Sequence, residues 1–331
     1  MPSGTNAGVE GFLGGWMKRR TAVAVGGGIG GLALYNRRLE MSGGEIPDRL
    51  GGHRRRYRWR GWDLSYSVAG EGEPLLLVHG IYAGASSFEF RKNFQELSRS
   101  FRVYALDLLG CGTSERPDRG YEPEDVTSQI EDFVRGEIGG QAHLVASSLS
   151  AALVVPAAVR SPRLFKKLVL ICPTGYGTLD RPSGRLGDVI YGLFRVPVLG
   201  KTLYHAIVSR RGLRYFLQGM TYDDPELVTE ELVEDYYRTT HQPGARYFVA
   251  AFVSGKLNLG VADLWPRVPH RTMICWGLEA ETAPVDQAHR FVAHNPRSEP
   301  RLFKAAALLP HDERAETFNE EVGTFLQGGQ G

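Results

Sequence analysis

The chemistry most readily built from this chain lies in the segment HLVASSLSAALVVPAAVR, residues 143–160, with Ser148 at its centre. Leu144 to Ala146 is a short apolar run of strand type, and Leu149 to Val159 is Ala-rich and apolar, as expected of a helix buried against a sheet. Ala146 and Ser150 flank Ser148 two residues away on either side, where a larger side chain would collide as strand folds back into helix. This small-x-Ser-x-small pattern is a nucleophile elbow with Ala and Ser in place of the usual glycines. Such a turn holds a serine hydroxyl clear of the sheet and aims the next amide, that of Leu149, at a bound carbonyl oxygen. The positive end of the helix dipole adds to that attraction.

An elbow needs a sheet and flanking helices to position it, and the chain supplies both. The sequence has 331 residues, enough for one large domain with an insertion or for two smaller ones. The 39 basic and 37 acidic residues leave a net charge of +2, too small to call for a nucleic-acid partner. Cys111, Cys172 and Cys275 are odd in number, far apart and without CxxC spacing, so neither a disulfide framework nor a metal site is expected. The histidines have no ligand spacing, and no cofactor is called for.

Residues 1–50 form a separate Gly- and Arg-rich segment. Its apolar run from Thr21 to Tyr35 lies between Lys18, Arg19, Arg20 and Arg37, Arg38. Gly26, Gly28 and Gly31 satisfy GxGxxG, but no second strand ending in an acidic residue follows, so a dinucleotide site is rejected. Met17 with its basic neighbours before the run imitates the start of a signal, and no A-x-A cleavage pattern follows. The readings left open are an uncleaved anchor that meets a membrane surface through residues 12–38, and a tail without fixed structure. As a helix the run would be under about 25 Å long, short of the roughly 30 Å hydrocarbon core, so a tilted or surface-lying anchor fits better than a span. The location expected is the cytoplasm, or the cytoplasmic face of a membrane by way of that anchor.

From Arg54, RRRYRWRGWDLSYSVAG alternates as an edge hairpin turning at Gly61, its arginines protecting the edge from further pairing. EPLLLVHG (Glu73 to Gly80) and FRVYALDLL (Phe101 to Leu109) read as buried parallel strands. Helices are expected over Ser87 to Ser98 and Pro123 to Ile138, and KKLVLIC (Lys166 to Cys172) makes a further strand. Thr178 to Val261 is helical with aromatic faces. After it come the strand TMICWG (Thr272 to Gly277), a helix Val285 to Ala293, a strand around Arg301 to Ala305 and a last helix Glu316 to Leu326. Alternating strands and helices specify an α/β doubly wound, mostly parallel sheet with a helical insertion.

HGIYAGASSFEFRKNFQELSRSFRVYALDLLGCGTSERP, then HLVASSLSAA and KKLVLICPTG, resembles the α/β-hydrolase superfamily over roughly Arg54 to Gly175. The resemblance implies a core in two parts, 51–177 and 262–331, with a helical cap at 178–261 over the elbow. It implies Ser148 as nucleophile, the Ile81 and Leu149 amides as the oxyanion hole, and Asp107 as a structural residue. A serine at the elbow also speaks against dehalogenase chemistry, which uses a carboxylate there.

The same pattern leaves two positions vacant. Trp276, Gly277 and Pro284 set the register of the acid loop, and the residue at the acid's place is Ala280, flanked by Glu279 and Glu281. Aligning Pro310, His311, Asp312, Glu313, Phe318 and Asn319 with the family's histidine turn puts Leu308 at the catalytic position. A serine hydroxyl without a base has no useful nucleophilicity, and removing triad members costs about 10⁶ in turnover. Two functions therefore stand side by side. One is a serine hydrolase of small or lipid-like esters, using Ser148 with a rearranged base: His311 oriented by Glu279 or Glu281, or a cap histidine, His205 or His241. The other is a non-catalytic relative that binds a small apolar ligand or a partner under the cap. Lyase or other non-hydrolytic chemistry is a weaker third.

Overall fold

The computed structural model describes residues 28–328. Eight strands form one sheet in the order β1-β2-β4-β3-β5-β6-β7-β8. They are β1 His53–Trp59, β2 Trp62–Ala69, β3 Glu73–Val78, β4 Phe101–Leu106, β5 Ala142–Ser147, β6 Phe165–Ile171, β7 Thr272–Gly277 and β8 Ser298–Phe303. β1 and β2 pair antiparallel with each other and β2 with β4, and all other pairings are parallel. This is the mostly parallel, doubly wound sheet expected from the alternation of elements, in the α/β-hydrolase arrangement that the family resemblance implies. The central strands are continuous apolar runs because helices cover both faces: Leu75 to Val78, Leu144 to Ala146 and Leu168 to Ile171 are fully buried. β1, at the sheet edge, sets Arg56 and Arg58 against Asp63.

The helices that position the site are α1 over 28–42, α2 Phe94–Leu97, α3 Pro123–Phe133, α4 Ser148–Arg160, α10 Asp286–His294, α11 Pro310–Glu313 and α12 Ala315–Gln327. Between β6 and β7 lie five more: α5 Arg185–Arg195, α6 Pro197–Ile207, α7 Arg210–Phe216, α8 Glu230–Thr240 and α9 Ala245–Val253. These enclose an apolar core of their own, with Tyr204, Leu213, Leu217, Leu232, Tyr236 and Val249, to which Tyr82 and Leu309 of the main body contribute. They are called the cap below.

Two expected helices are altered by tertiary contacts. In place of one helix over Ser87 to Ser98 there is a 3₁₀ turn Ser87–Phe90 and then the short α2. Asp107 takes the Ser87 amide, and Lys92 and Asn93 donate to the carbonyls of Asp312 and His311, so the segment is tied at several points to distant chain. The helix from Pro123 is α-helical only to Phe133 and closes with a π turn, Val134–Ile138, ending at Gly139 with φ of 72°. The Tyr57 hydroxyl donates to the Asp132 carbonyl just before that change.

Of the N-terminal segment, residues 12–27 of the expected anchor, and Gly26 with them, lie outside the described residues. Residues 28–38 belong to α1, which lies on the cap. The Asn36 amide donates to the Val198 carbonyl and the Thr202 hydroxyl, Glu40 pairs with Lys201, and the Ser42 and Tyr237 hydroxyls bond. Among the described residues no helix is long and apolar enough to cross a membrane.

Candidate active site

β3 is paired with β4 on one side and β5 on the other, so chain connections leave it in opposite directions. A crevice opens at the C-terminal ends of strands at such a point, and it is where ligands bind in open α/β sheets. The two segments that meet there are His79-Gly80, after β3, and Ser147-Ser148, where β5 ends and α4 begins.

Ser148 has a φ of 52°, the left-handed region that a non-glycine residue occupies only under constraint. The small neighbours make that turn feasible: Ala146, Ser147 and Ser150 are fully buried while Ser148 itself is half-buried. The Leu149 amide falls in the first turn of α4, where an N–H has no intrahelical acceptor. The Ile81 amide likewise donates to no acceptor among the described residues. Asp107 holds the loop beside it. Its carboxylate accepts the amides of Ser87 and Thr113, both at 2.7 Å, and the Ser114 hydroxyl donates to its carbonyl.

The floor of the site is Gly80. A methyl group placed on it would sit 3.0 Å from the Tyr82 ring, 3.3 Å from Glu89 Oε2 and 3.4 Å from Ser148 Cβ, so these three side chains converge on one point. Glu89 Oε2 accepts the Gly80 amide at 2.9 Å and the Tyr82 hydroxyl at 2.6 Å, and His311 Nε2 lies 3.2 Å from Glu89 Oε1. Glu89 and His311 are both sealed from solvent. Burial pushes the Glu89 carboxyl up, but hydrogen bonding and charge attraction from His311, together with Tyr82, outweigh it and hold the group at about 2. The imidazole is packed between Phe90 and Phe318, with ring centroids 5.2 and 5.7 Å away.

Next in sequence, Asp312 is equally buried and carries a second cluster. Arg91 Nη2 donates to it at 2.6 Å, Lys92 Nζ lies 3.2 Å away, and the Tyr222 hydroxyl of the cap donates to it. Burial raises the Asp312 carboxyl, and Arg91, Tyr222 and Lys92 bring it below its ordinary value. Glu313 accepts the amides of Ala307, at 2.7 Å, and of cap residue Asp223, also at 2.7 Å. The stretch His311 to Glu313 thus rivets the last helix, the segment after β3 and the cap to one another.

The positions singled out in the sequence fall as follows. Leu308 is half-buried against the main core, with its amide donating to the cap carbonyl of Thr221. Ala280 is buried. Glu279 is exposed and its carboxylate accepts the Ala306 amide at 3.1 Å; Glu281 is exposed and pairs with no group among the described residues. The carboxylate brought to His311 is Glu89, which sequence reasoning did not single out. Its only signal was an acidic residue among the phenylalanines of an inward-facing stretch, FEF.

None of the nine imidazoles hydrogen-bonds Ser148. His79 is spent on the Gly80 carbonyl and the Leu108 amide, His143 on Glu73, His270 on the Pro162 carbonyl and His294 on the Arg290 carbonyl. His205 and His241 face each other inside the cap, ring centroids 4.8 Å apart, and His53 and His289 are exposed. Burial lowers both cap histidines, His241 to about 4. Among the described residues no group of three or more His, Cys, Asp or Glu side chains is placed to hold a metal ion.

An eight-stranded, mostly parallel sheet with a strained serine at the β5–α4 turn and a cap between β6 and β7 is the architecture of a hydrolase-fold protein. A family model described as alpha/beta hydrolase family matches residues 75–321, and the chain belongs to that family. It is 28% identical over 269 residues to a 2-hydroxymuconate semialdehyde hydrolase of Pseudomonas sp. (strain CF600), covering 78% of this chain and 88% of that one. It is 24% identical over 256 residues to the uncharacterized hydrolase YugF of Bacillus subtilis, covering 77% and 90%. Among solved structures, a serine hydrolase involved in carbazole degradation superposes with a TM-score of 0.70 at 21% identity over 83% of this chain and 99% of that one. A membrane phospholipase A superposes with a TM-score of 0.68 at 19% identity over 96% of this chain and 98% of that one.

Proposed function

We propose that this chain uses its elbow as a binding site for an apolar compound bearing a neutral carbonyl group, and does not turn that compound over by serine–histidine–acid chemistry. The observation that carries this reading is that none of the nine imidazoles hydrogen-bonds Ser148; the expectation from the resemblance, that Leu308 and Ala280 stand where the family's base and acid belong, supports it. What remains at the elbow is a carbonyl receptor: a serine hydroxyl, two amides without acceptors among the described residues, and the N-terminus of a thirteen-residue helix. The ionised Glu89 beside it disfavours a second anion, so a ketone, ester or amide suits the site better than a carboxylate. Tyr82, Leu308 and the apolar cap residues favour an aliphatic or aromatic tail.

A hydrolase with a rearranged base is the second reading. It is favoured by the Glu89–His311 pair, which has the composition of a catalytic acid–base couple and lies behind Gly80, and by hydrolase relatives at 23–28% identity. One experiment separates the two. Native protein, Ser148→Ala and His311→Phe are exposed to a fluorophosphonate probe at neutral pH, and binding of a medium-chain methyl ester and its free acid is followed by thermal shift. Binding of the ester in preference to the acid, with no Ser148-dependent labelling within an hour, supports the receptor. Labelling within minutes that both substitutions abolish would establish the hydrolase and refute the receptor.

A further inference from the structure

α5 is amphipathic in an unusual sense, because part of its apolar side faces outward. Leu186, Val189 and Leu193 recur at spacings of three and four residues, which places them on one face, and they are 73%, 68% and 46% exposed. α6 follows without a loop, Val196 ending one helix and preceding the first residue of the next. Val196, Leu199 and Ile207 are exposed there as well. The corner between the two helices is built rather than loose. Arg246, itself buried, donates to the carbonyls of Phe194 and Val196, and a methyl on Gly200 would meet the Phe194 carbonyl at 2.4 Å. α1 lies against α6 and exposes Ile29, Leu34 and Tyr35. Large apolar side chains in such number on adjoining helices mark an interaction surface.

The charges around this surface point to its occupant. From Thr178 to Met220 the cap carries seven basic residues and two acidic ones, Asp180 and Asp188. Arg195, Lys201, Arg210 and Arg214 are taken by carboxylates. Arg181, Arg185 and Arg211, with Arg37 and Arg38 of α1, are exposed and make no ion pair among the described residues. Exposed apolar helices bordered by unpaired arginines complement a surface that is anionic outside and hydrocarbon within. In sequence, the 27 residues before α1 include Lys18, Arg19, Arg20 and the apolar TAVAV.

We propose that the outward face of α5 and α6, extended by α1, docks this protein on an anionic lipid bilayer, with Leu186, Val189, Leu193 and Leu199 entering the interface and Arg181, Arg185, Arg37 and Arg38 meeting the headgroups. The cap is then the part of the molecule nearest the lipid, which puts an apolar ligand within reach of the site beneath it. The docking surface does not depend on whether Ser148 is a receptor or a nucleophile.

The test is co-sedimentation of the full-length chain with phosphatidylcholine vesicles and with vesicles containing 30% phosphatidylglycerol. The expected result is retention by the anionic vesicles only, weakened by added salt. Leu186→Glu with Val189→Glu lowers retention at least tenfold, and Arg181→Gln with Arg185→Gln lowers it by about fivefold per arginine. Both pairs of side chains are exposed and their unfolding midpoints stay within 2 °C of the native protein. Undiminished retention of the Leu186→Glu, Val189→Glu variant would overturn the proposal by placing the contact in the N-terminal segment. So would a native dimer that the same variant converts to monomer with no vesicle binding by either protein, which would assign the face to a second copy of this chain.

Discussion

Replacing Glu89 by glutamine tests the electrostatic account of the site directly. The carboxylate is sealed from solvent and held at about 2 against an ordinary 4.5. At 1.36 kcal/mol for each tenfold change in proton affinity, that preference for the ionised form is worth about 3 kcal/mol of folding stability. The sign follows from linkage: a depressed carboxyl stabilises the fold above its unfolded pKa, and the contribution disappears as pH falls from about 4.5 through about 2. Glutamine keeps the size and can still accept the Gly80 amide and the Tyr82 hydroxyl. It removes the carboxylate that faces His311, whose ring is enclosed between Phe90 and Phe318. Urea denaturation at pH 7 should therefore show Glu89→Gln destabilised by about 3 kcal/mol, within the 3–5 kcal/mol of a broken buried pair. The gap should shrink by more than half at pH 2.5. His311→Phe should cost a similar amount, and the double variant less than the sum of the two, because the singles each leave one buried partner uncompensated. A difference below 1 kcal/mol at pH 7, or one that does not change between pH 5 and 2.5, would refute the reasoning.

Three further outcomes follow from the same structure. Ser148→Gly relieves a positive φ that serine occupies at a cost, and should stabilise the protein by about 1 kcal/mol in thermal unfolding, since the Ser148 side chain makes no hydrogen bond among the described residues. Gly112→Ala should cost more than about 3 kcal/mol in the same assay, because the added methyl would fall 2.1 Å from the Asp107 carboxylate at a residue with φ of 51°. His241, lowered from 6.5 to about 4 by burial, contributes stability that is present above pH 6.5 and is lost as pH falls toward 4. Replacing it with glutamine should flatten the stability profile across that window by about 3 kcal/mol.

The residues that built the fold were legible because they act locally. EPLLLV and KKLVLI read as buried parallel strands from their unbroken apolar runs, and Ala146-x-Ser148-x-Ser150 read as a tight turn because only small residues fit one. Glu89 was not legible, since what defines it is contact with Gly80, Tyr82 and His311, the last 222 positions away in sequence, and none of these is encoded in the spacing of FEF. The same limit applies to the exposed side of α5. Leu186, Val189 and Leu193 have helical spacing in the sequence, and that spacing reads as a face packed inward until the structure shows Gly187 and Phe194 taking the inner side. Beside the buried contact of His311 with Glu89, Asp312 and Glu313 bind Tyr222 and Asp223 of the cap, and these contacts fasten the cap to the core. For the proposal that Ser148 serves as a receptor, with Leu308 and Ala280 at the places the family resemblance gives to base and acid, Leu308→His with Ala280→Asp is the reciprocal trial. If the elbow lacks only its partners, that double variant gains at least 100-fold in hydrolysis of a p-nitrophenyl ester over the native chain, within the roughly 10⁶ that complete triads supply. No gain in a variant that folds with native stability would mean that the site has diverged in shape as well as in chemistry.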